Sequence, residues 1–206
     1  MSNPQQRLAD DLVGLAASLA RQAGTMVATG RADGIVATAK SSATDMVTQF
    51  DHESEMFITT RLRAERPDDG LLGEEGAAVV GTSGIEWLID PIDGTTNFLY
   101  DLPGWAVSIA ALDSGGALAG AVYVPALDEL FTATREGGAW LNGERIRCGD
   151  VADPAVALTA TGFGYLAERR AQQGARVARL LPQVRDIRRL GAASVDLCYV
   201  AAGRLD

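Results

Sequence analysis

The sequence W-L-I-D-P-I-D-G-T-T-N-F occupies residues 87–98 and constrains the fold of the whole chain. Its first three residues are apolar, which predicts a short buried strand over residues 87–89 followed by a turn. Asp90 and Asp93 lie in that turn, so two carboxylates stand at the end of a buried strand. Buried charge is unfavourable unless a cation or hydrogen bonds compensate it. We therefore expect a divalent-metal site that handles a phosphate group.

The pattern on both sides of this stretch predicts helices that bracket a run of strands. Periodic apolar residues indicate helices over residues 7–29 and 48–66, the second capped by Asp45 or Thr48. Pro67 and the residues after it end the second helix.

The strands follow one another directly, which is typical of an antiparallel meander. Apolar or alternating runs predict strands over residues 105–112, 118–124 and 130–134, and Asn142-Gly143 predicts a further hairpin. A strand over residues 155–161 and helices over residues 165–181 and 191–203 complete the chain. These elements predict one domain over residues 1–206 with an α+β or mixed α/β architecture, rather than a doubly wound parallel sheet.

Charge is distributed unevenly along the chain, whose net charge is −9. Residues 67–134 contain eleven acids and no lysine or arginine, so an anion bound there needs another source of positive charge. Nucleic acid is an unfavourable partner for such a surface. Four of these acids are expected on the solvated surface: Asp68, Asp69, Asp128 and Glu129.

Cysteine and histidine contribute little chemistry to this sequence. Cys148 and Cys198 are far apart and lack metal-ligand spacing, which fits a reducing compartment. The single His52 is expected on a helix surface, and no G-x-S-x-G elbow accompanies it. No segment has the pattern of a signal peptide or a membrane span, so we expect a cytoplasmic protein without a membrane partner.

Two further segments have open interpretations. Lys40 is the only lysine and precedes Ser41-Ser42, so the segment is either a polar loop before a capped helix or a mobile loop that carries a cation to an anion. Glu74-Glu75 is either a surface turn or a source of metal ligands.

Residues 162–167 match G-x-G-x-x-A, a pattern found in dinucleotide-binding folds. The acid required about twenty residues later is only loosely met by Asp186, and the upstream meander does not suit that fold. Turn glycines before a helix are the favoured interpretation.

The chemistry of residues 90–95 suits magnesium and phosphate. Pro91 biases the residue before it towards an extended conformation, and a turn there lets Asp90, Asp93 and the Ile92 carbonyl converge on hard cations. Gly94 permits close approach, so the amides of Gly94 and Thr95 can receive phosphate oxygens. Two such ions can hold the attacking water and the leaving oxygen of an in-line displacement.

Three segments together resemble the inositol monophosphatase family. They are G-E-E at residues 73–75, D-P-I-D-G-T-T-N-F at residues 90–98 and G-A-A-S-V-D-L at residues 191–197. Lys40-Ser41-Ser42 and Asp51 also fall where that family has its lysine loop and an acid near the attacking water. The resemblance runs from about Lys40 to the last residue, and D-P-I-D-G-T is its most specific part.

The resemblance implies a layered αβαβα sugar-phosphatase fold, commonly a homodimer. It also implies lithium-sensitive hydrolysis of a phosphate monoester with two or three Mg²⁺ ions. The substrate it implies is a small phosphorylated polyol, and Thr96-Asn97-Phe98 favours inositol monophosphate over histidinol phosphate or another sugar phosphate. A non-catalytic regulatory relative that binds a partner protein is the alternative from another class.

The resemblance also implies a role for individual residues. Glu74, Asp90 and the Ile92 carbonyl would hold one ion, while Asp90 and Asp93 would share a second. Thr95, with Asp51 and Glu74, would orient and activate the water. Phosphate and substrate would meet four residues: Lys40, Gly94, Thr95 and Ala193.

The sequence departs from the family pattern at its end. Members of the family continue past the G-R-L-D of residues 203–206 to a substrate-binding glutamate and a W-D pair whose aspartate is a further ligand of the second ion. The resemblance therefore implies a domain truncated at its C-terminus. A chain of this length on its own is expected to have little phosphatase activity.

Overall fold

The computed structural model of the chain describes residues 4–31, 34–42 and 45–206. Of Ser41, Ser42 and Asp45 it describes the backbone, so the predictions for these side chains lie outside the described residues.

The described residues form helices at both ends of a central run of strands. The helices are α1 (Pro4–Gly30), α2 (Gln49–Glu65), α3 (Thr95–Leu99), α4 (Ala167–Leu180) and α5 (Ala193–Ala201). The strands before residue 100 are β1 (Ala37–Ser42), β2 (Asp45–Thr48), β3 (Gly70–Gly73), β4 (Ala78–Val79) and β5 (Glu86–Asp93). The later strands are β6 (Ala106–Asp113), β7 (Gly116–Val124), β8 (Glu129–Thr134), β9 (Gly138–Leu141), β10 (Glu144–Ile146), β11 (Leu158–Ala160) and β12 (Asp186–Arg188).

An eight-stranded mixed sheet is the centre of the fold, in the order β10-β9-β8-β7-β6-β5-β3-β4. Its pairs are antiparallel except for β3 and β5, which are parallel. The predicted meander is confirmed as β6, β7 and β8. The predicted Asn142-Gly143 hairpin is also confirmed: both residues have positive φ, 49° and 84°, as a tight two-residue hairpin turn requires.

Helices cover both faces of this sheet. Helices α1 and α2 pack on one face, where the main core contains Trp87, whose side chain is fully buried. Removing a ring of this size from water stabilises the fold by about 5 kcal/mol, from roughly 200 Å² at 25 cal/mol per Å². Helix α5 packs on the other face against β6 and β7, where Val195 and Phe131 belong to a second core. The mixed, layered architecture is therefore confirmed.

Beyond the main sheet, β11 and β12 form a separate parallel pair that α4 connects. The G-x-G-x-x-A segment lies between β11 and α4, but Asp186 begins β12 instead of ending it. In a dinucleotide-binding fold the acid stands at the carboxyl end of the second strand, so the position of Asp186 favours the turn interpretation. The strand predicted over residues 155–161 is shorter than expected, because Pro154–Val156 forms a 3-10 turn capped by Asp153.

Two of the four acids expected on the solvated surface are instead largely or partly buried. Asp69 is 3% exposed and accepts hydrogen bonds from Arg66, Ser83 and the Trp87 indole. The buried indole N–H needs an acceptor in the core, and Asp69 supplies it. The Glu129 side chain is 15% exposed and forms an ion pair with Arg204. Asp68 and Asp128 are exposed as predicted, and so is His52.

None of the helices in the described part of the chain combines the length and the apolar character that crossing a bilayer requires.

Candidate active site

The two aspartates of residues 90–98 are separated by a β-bulge and not by a turn beyond the strand. Strand β5 continues to Asp93, with Asp90 opposite Ser108 and Asp93 opposite Ala106. Two residues, Pro91 and Ile92, therefore face the single residue between those partners. In a regular strand, positions i and i+3 lie on opposite faces, and the extra residue of a bulge corrects that alternation. Pro91 suits the position because it has no N–H to donate to the ladder.

Asp90 is a buried acid in a strongly negative environment. Its Oδ1 is buried and has no hydrogen-bond partner. Burial raises the pKa of the Asp90 carboxyl far above its usual range, and the negative charges of Glu74 and Asp93 raise it further. The Glu74 amide donates to the Ile89 carbonyl at 3.1 Å, which brings the loop after β3 alongside the end of β5. The three acids that sequence analysis assigned to metal binding thus lie close enough to influence one another.

Asp51 and Thr95 join two other elements at the same place. Asp51 lies in the first turn of α2, where Thr48 caps the helix and donates to Asp51 Oδ2 from its amide at 2.7 Å and its hydroxyl at 2.6 Å. Thr95 Oγ1 lies 3.3 Å from Asp51 Oδ1 and 3.0 Å from the Ile92 carbonyl oxygen. Burial raises the pKa of Asp51 despite the opposing hydrogen bonds from Thr48. Asp51 is therefore a stronger base than an ordinary surface carboxylate.

Gly94 and the segment after it bring α5 to the acids. Gly94 has a φ of 90°, and a Cβ at this position would lie 2.9 Å from the Gly104 carbonyl oxygen, so only glycine fits without strain. Asn97 donates to the carbonyls of Gly104 and Leu190 and so holds the segment before α5 in place. Asp93 Oδ2 then accepts a 2.6 Å hydrogen bond from the Ser194 amide in the first turn of α5.

Lys40 reaches this group from β1. Its ammonium forms an ion pair with Glu74 Oε1 at 2.9 Å and a second, short one with Glu75. The Glu74 side chain is 48% exposed, whereas that of Glu75 is 5% exposed. Burial acts to lower the pKa of Lys40, but the hydrogen bonds to Glu75 and Glu74 outweigh it and raise that pKa above its usual range. Lys40 is therefore a permanent positive charge beside the acids.

Ala193 lies at the start of α5 in an open cleft of about 660 Å³. The same cleft contains Asp93 on one side and Arg189 and Asp196 on another. The residue predicted to line the substrate thus stands beside one of the predicted metal ligands.

The chemistry of the donors fits a hard divalent cation. All candidate ligands are carboxylate or carbonyl oxygens, which Mg²⁺ prefers, and the buried Asp90 Oδ1 needs a partner that hydrogen bonds in the protein do not supply. Among the described residues, no three acidic, histidine or cysteine side chains stand at the spacing of a metal site. Glu74 instead pairs with Lys40.

Sequence reasoning missed several residues that tertiary structure brings to this site. Glu55 is a buried acid on α2 that binds the loop carrying Glu74 and Glu75. Arg189 supplies a positive charge from outside the lysine- and arginine-free span. A usable signal for Glu55 was its spacing of four residues from Asp51, which puts both on one face of a helix.

The family model described as the Inositol monophosphatase family matches residues 9–206. The chain belongs to the inositol monophosphatase family. The resemblance stated from the three sequence segments is therefore confirmed.

Members of this family with known sequence and structure are similar to the chain over most of its length. Inositol-1-monophosphatase SuhB of Mycobacterium tuberculosis is 46% identical over 186 residues, which cover 86% of this chain and 64% of that protein. Nus factor SuhB of Pasteurella multocida is 42% identical over 199 residues, which cover 95% of this chain and 74% of that protein. The crystal structure of the extragenic suppressor protein SuhB of Bartonella henselae superposes with a TM-score of 0.89 at 36% identity, covering 95% of this chain and 76% of that one.

The superposition confirms the predicted family fold. The chain spans less than two thirds of the length of the mycobacterial relatives that it matches.

Proposed function

We propose that the protein is a magnesium-dependent hydrolase of phosphate monoesters and that its substrate is a small phosphorylated polyol of the inositol monophosphate type. The observation that carries the proposal is the placement of the unpartnered Asp90 Oδ1 beside Asp93 and Glu74, next to the Asp51–Thr95 pair. A buried carboxylate oxygen beside other negative charges destabilises a fold unless a cation compensates it, so this arrangement is best explained by a cation that function requires.

The bulge and the loop after β3 would supply the ligands of the ions. Glu74, Asp90 and the Ile92 carbonyl would hold one Mg²⁺, and Asp90 and Asp93 would share another. Bound magnesium supplies a Lewis acid for the phosphoryl oxygens and lowers the pKa of a coordinated water.

The protein orients the attacking water through Thr95. The Thr95 hydroxyl can donate to Asp51 Oδ1 and accept a hydrogen bond from a water, so the water's proton has a route towards a base of raised pKa. Glu74 flanks the same position. The water oxygen bonds to phosphorus, the bond from phosphorus to the ester oxygen breaks, and that oxygen leaves as the alcohol after it takes a proton.

The phosphate and the polyol would be held by different groups. The amides of Gly94 and Thr95 face the phosphate at the sharp turn after β5, and Lys40 adds a positive charge from β1. The polyol would lie in the cleft beside Ala193. The lack of lysine and arginine in residues 67–134 leaves magnesium as the main anion attractor within that span.

The substrate itself is tested with a panel. Inositol monophosphates, histidinol phosphate and other sugar phosphates are compared by phosphate release from the protein purified from its native source. We expect the inositol monophosphates to be preferred, because relatives of this chain are named inositol-1-monophosphatase. Preferential turnover of histidinol phosphate would assign the alternative within this fold. Lithium should inhibit the preferred reaction.

A regulatory protein that acts through a partner is the second candidate, because relatives at 40–42% identity are named Nus factor SuhB. The two candidates differ in what they require of the acids: a scaffold that only binds a partner has no need of a buried, unpartnered Asp90 Oδ1. Calorimetric titration of the chain with MgCl₂, with and without inorganic phosphate, separates them. Binding that Asp90→Asn abolishes supports the hydrolase, and no binding under either condition favours the scaffold. The homodimer and the cytoplasmic location remain predictions.

A further inference from the structure

One face of helix α2 is polar and buried. Asp51, Ser54 and Glu55 are 1%, 0% and 5% exposed, and their spacing of three and four residues places them side by side. Buried polar side chains are unfavourable in a helix that packs on a sheet unless each finds a partner. The partners of these three side chains therefore indicate what the face does.

Each of the three side chains contacts a different segment of the candidate site. Asp51 meets Thr95 at the start of α3. The Ser54 hydroxyl donates to the Pro91 carbonyl in the bulge at 3.3 Å. Glu55 binds the loop between β3 and β4. One helix face thus connects the two segments that carry the predicted metal ligands to the segment that begins with Thr95.

The Glu55 carboxylate uses both oxygens on the backbone of that loop. Oε2 accepts from the Glu75 amide at 2.7 Å, and Oε1 accepts from the Ala77 amide at 2.9 Å. In the described residues, no lysine or arginine forms an ion pair with Glu55. A buried carboxylate without a cation is costly, so backbone amides are its compensation.

Other contacts also restrain the loop, because the Glu74 and Glu75 side chains form ion pairs with Lys40. Gly73 donates to the Ala77 carbonyl at 2.7 Å, which closes the loop, and the Glu74 amide bonds to β5. The Glu74 side chain itself is 48% exposed. Its direction towards Asp90 therefore depends on the ion pair with Lys40 and on how the backbone at residues 74–77 is held.

We infer that Glu55 is a positioning residue: its carboxylate holds the loop of residues 73–77 so that Glu74 faces Asp90, and it sets the affinity of the site for magnesium without touching the ion. The inference rests on the proposed function, because it assumes that Glu74 and Asp90 hold a cation. Replacing a residue that orients a metal ligand without touching the ion typically changes metal affinity about 10- to 100-fold.

Carboxylate geometry is required for this role. Glutamine has the same shape but only one acceptor oxygen, and its NH₂ group would face one of the two loop N–H donors. The Glu55 carboxylate packs directly against the loop backbone at Gly73, because a Cβ at this position would overlap the carboxylate.

The test compares Glu55→Gln with Glu53→Gln, which removes the same charge from an exposed position of α2. Calorimetry with MgCl₂ should give a dissociation constant about 10- to 100-fold higher for Glu55→Gln and an unchanged one for Glu53→Gln. Amide hydrogen exchange without metal should accelerate at Glu75 or Ala77 in Glu55→Gln but not across the main sheet. General acceleration would indicate global destabilisation, which contradicts a positioning role.

A second variant keeps the test decisive if Glu55→Gln does not fold. Gly73→Ala retains every acid and displaces the Glu55 carboxylate, so it should weaken magnesium binding in the same way. If the wild-type chain binds magnesium and the folded variants bind it equally well, the inference is overturned and the proposed function is left intact. Absence of magnesium binding by the wild-type chain overturns the proposed function itself.

Discussion

Thr95 Oγ1 lies 3.3 Å from Asp51 Oδ1, although 44 residues separate the two in sequence. The contact joins the first turn of α2 to the first turn of α3. Asp51 is held in turn by the amide and the hydroxyl of Thr48. A helix cap, which usually only satisfies backbone groups, here orients an acid towards a hydroxyl beside the proposed metal ligands.

Thr95→Val should lower kcat about 10²- to 10⁴-fold, the usual contribution of a positioned proton-transfer group. Valine keeps the shape of threonine but cannot connect a water to Asp51. Thr95→Ser is the matched control, because it retains the hydroxyl and should remain within about tenfold of wild type. Both variants are compared with the native protein by phosphate release. An active Thr95→Val would contradict the proposed route for the proton.

Asp90→Asn should stabilise the metal-free chain while it removes the response to magnesium. Without metal, folding must either protonate Asp90 or bury its charge beside Glu74 and Asp93. Asparagine avoids this cost, so we expect a gain on the order of 1–3 kcal/mol in the free energy of unfolding. Thermal unfolding with and without MgCl₂ measures both effects. A metal-free variant that is less stable than wild type would show that Asp90 has a structural role.

Lys40→Gln should strengthen magnesium binding several-fold. The Lys40 ammonium pairs with Glu74 and repels an incoming cation, and glutamine removes both effects. The free energy of unfolding should fall by roughly 1–3 kcal/mol, because glutamine also leaves the Glu75 side chain, which is 5% exposed, without its ion pair. Lys40→Arg keeps the charge and should bind magnesium nearly as wild type does. Weaker magnesium binding by Lys40→Gln, measured by calorimetry, is the outcome that contradicts this prediction.

Asp69→Asn should destabilise the fold in a pH-dependent way. Burial acts to raise the pKa of Asp69, but hydrogen bonds from Arg66, Ser83 and Trp87 outweigh it and hold that pKa below its usual range. The charged form is thus stabilised by folding. Its contribution is complete above the unfolded pKa of about 3.9 and disappears as the pH falls through the lower folded pKa.

Denaturant unfolding at several pH values tests this prediction. Asp69→Asn should cost roughly 2–4 kcal/mol at pH 7, somewhat less than a fully buried pair because Arg66 is 32% exposed. The difference from wild type should shrink as the pH falls below about 4. Asp68→Asn, at an exposed neighbouring position, is the control and should have little effect at any pH. A difference that stays constant with pH would show that the charge of Asp69 is not the stabilising feature.

Local patterns predicted much of this fold. The Asn142-Gly143 turn, the meander and the helix cap at Thr48 all depend on interactions between residues close in sequence. The bulge at Pro91-Ile92 was not predicted, because a strand that continues past a kink has the same local sequence as one that ends in a turn. Asp69 was misplaced for a related reason: its partner Trp87 lies 18 residues away, and only packing shows that an indole N–H needs this acceptor.

The sequence by itself determined the family and suggested the ligand chemistry that we propose, because D-P-I-D-G-T places two carboxylates, a carbonyl and a glycine turn within six residues. Tertiary structure alone decided how these groups meet. The bulge corrects the alternation between Asp90 and Asp93, and one face of α2 joins the bulge, Thr95 and the loop of Glu74. Such contacts depend on the relative placement of a helix and a sheet, which packing determines over distances that no local pattern encodes.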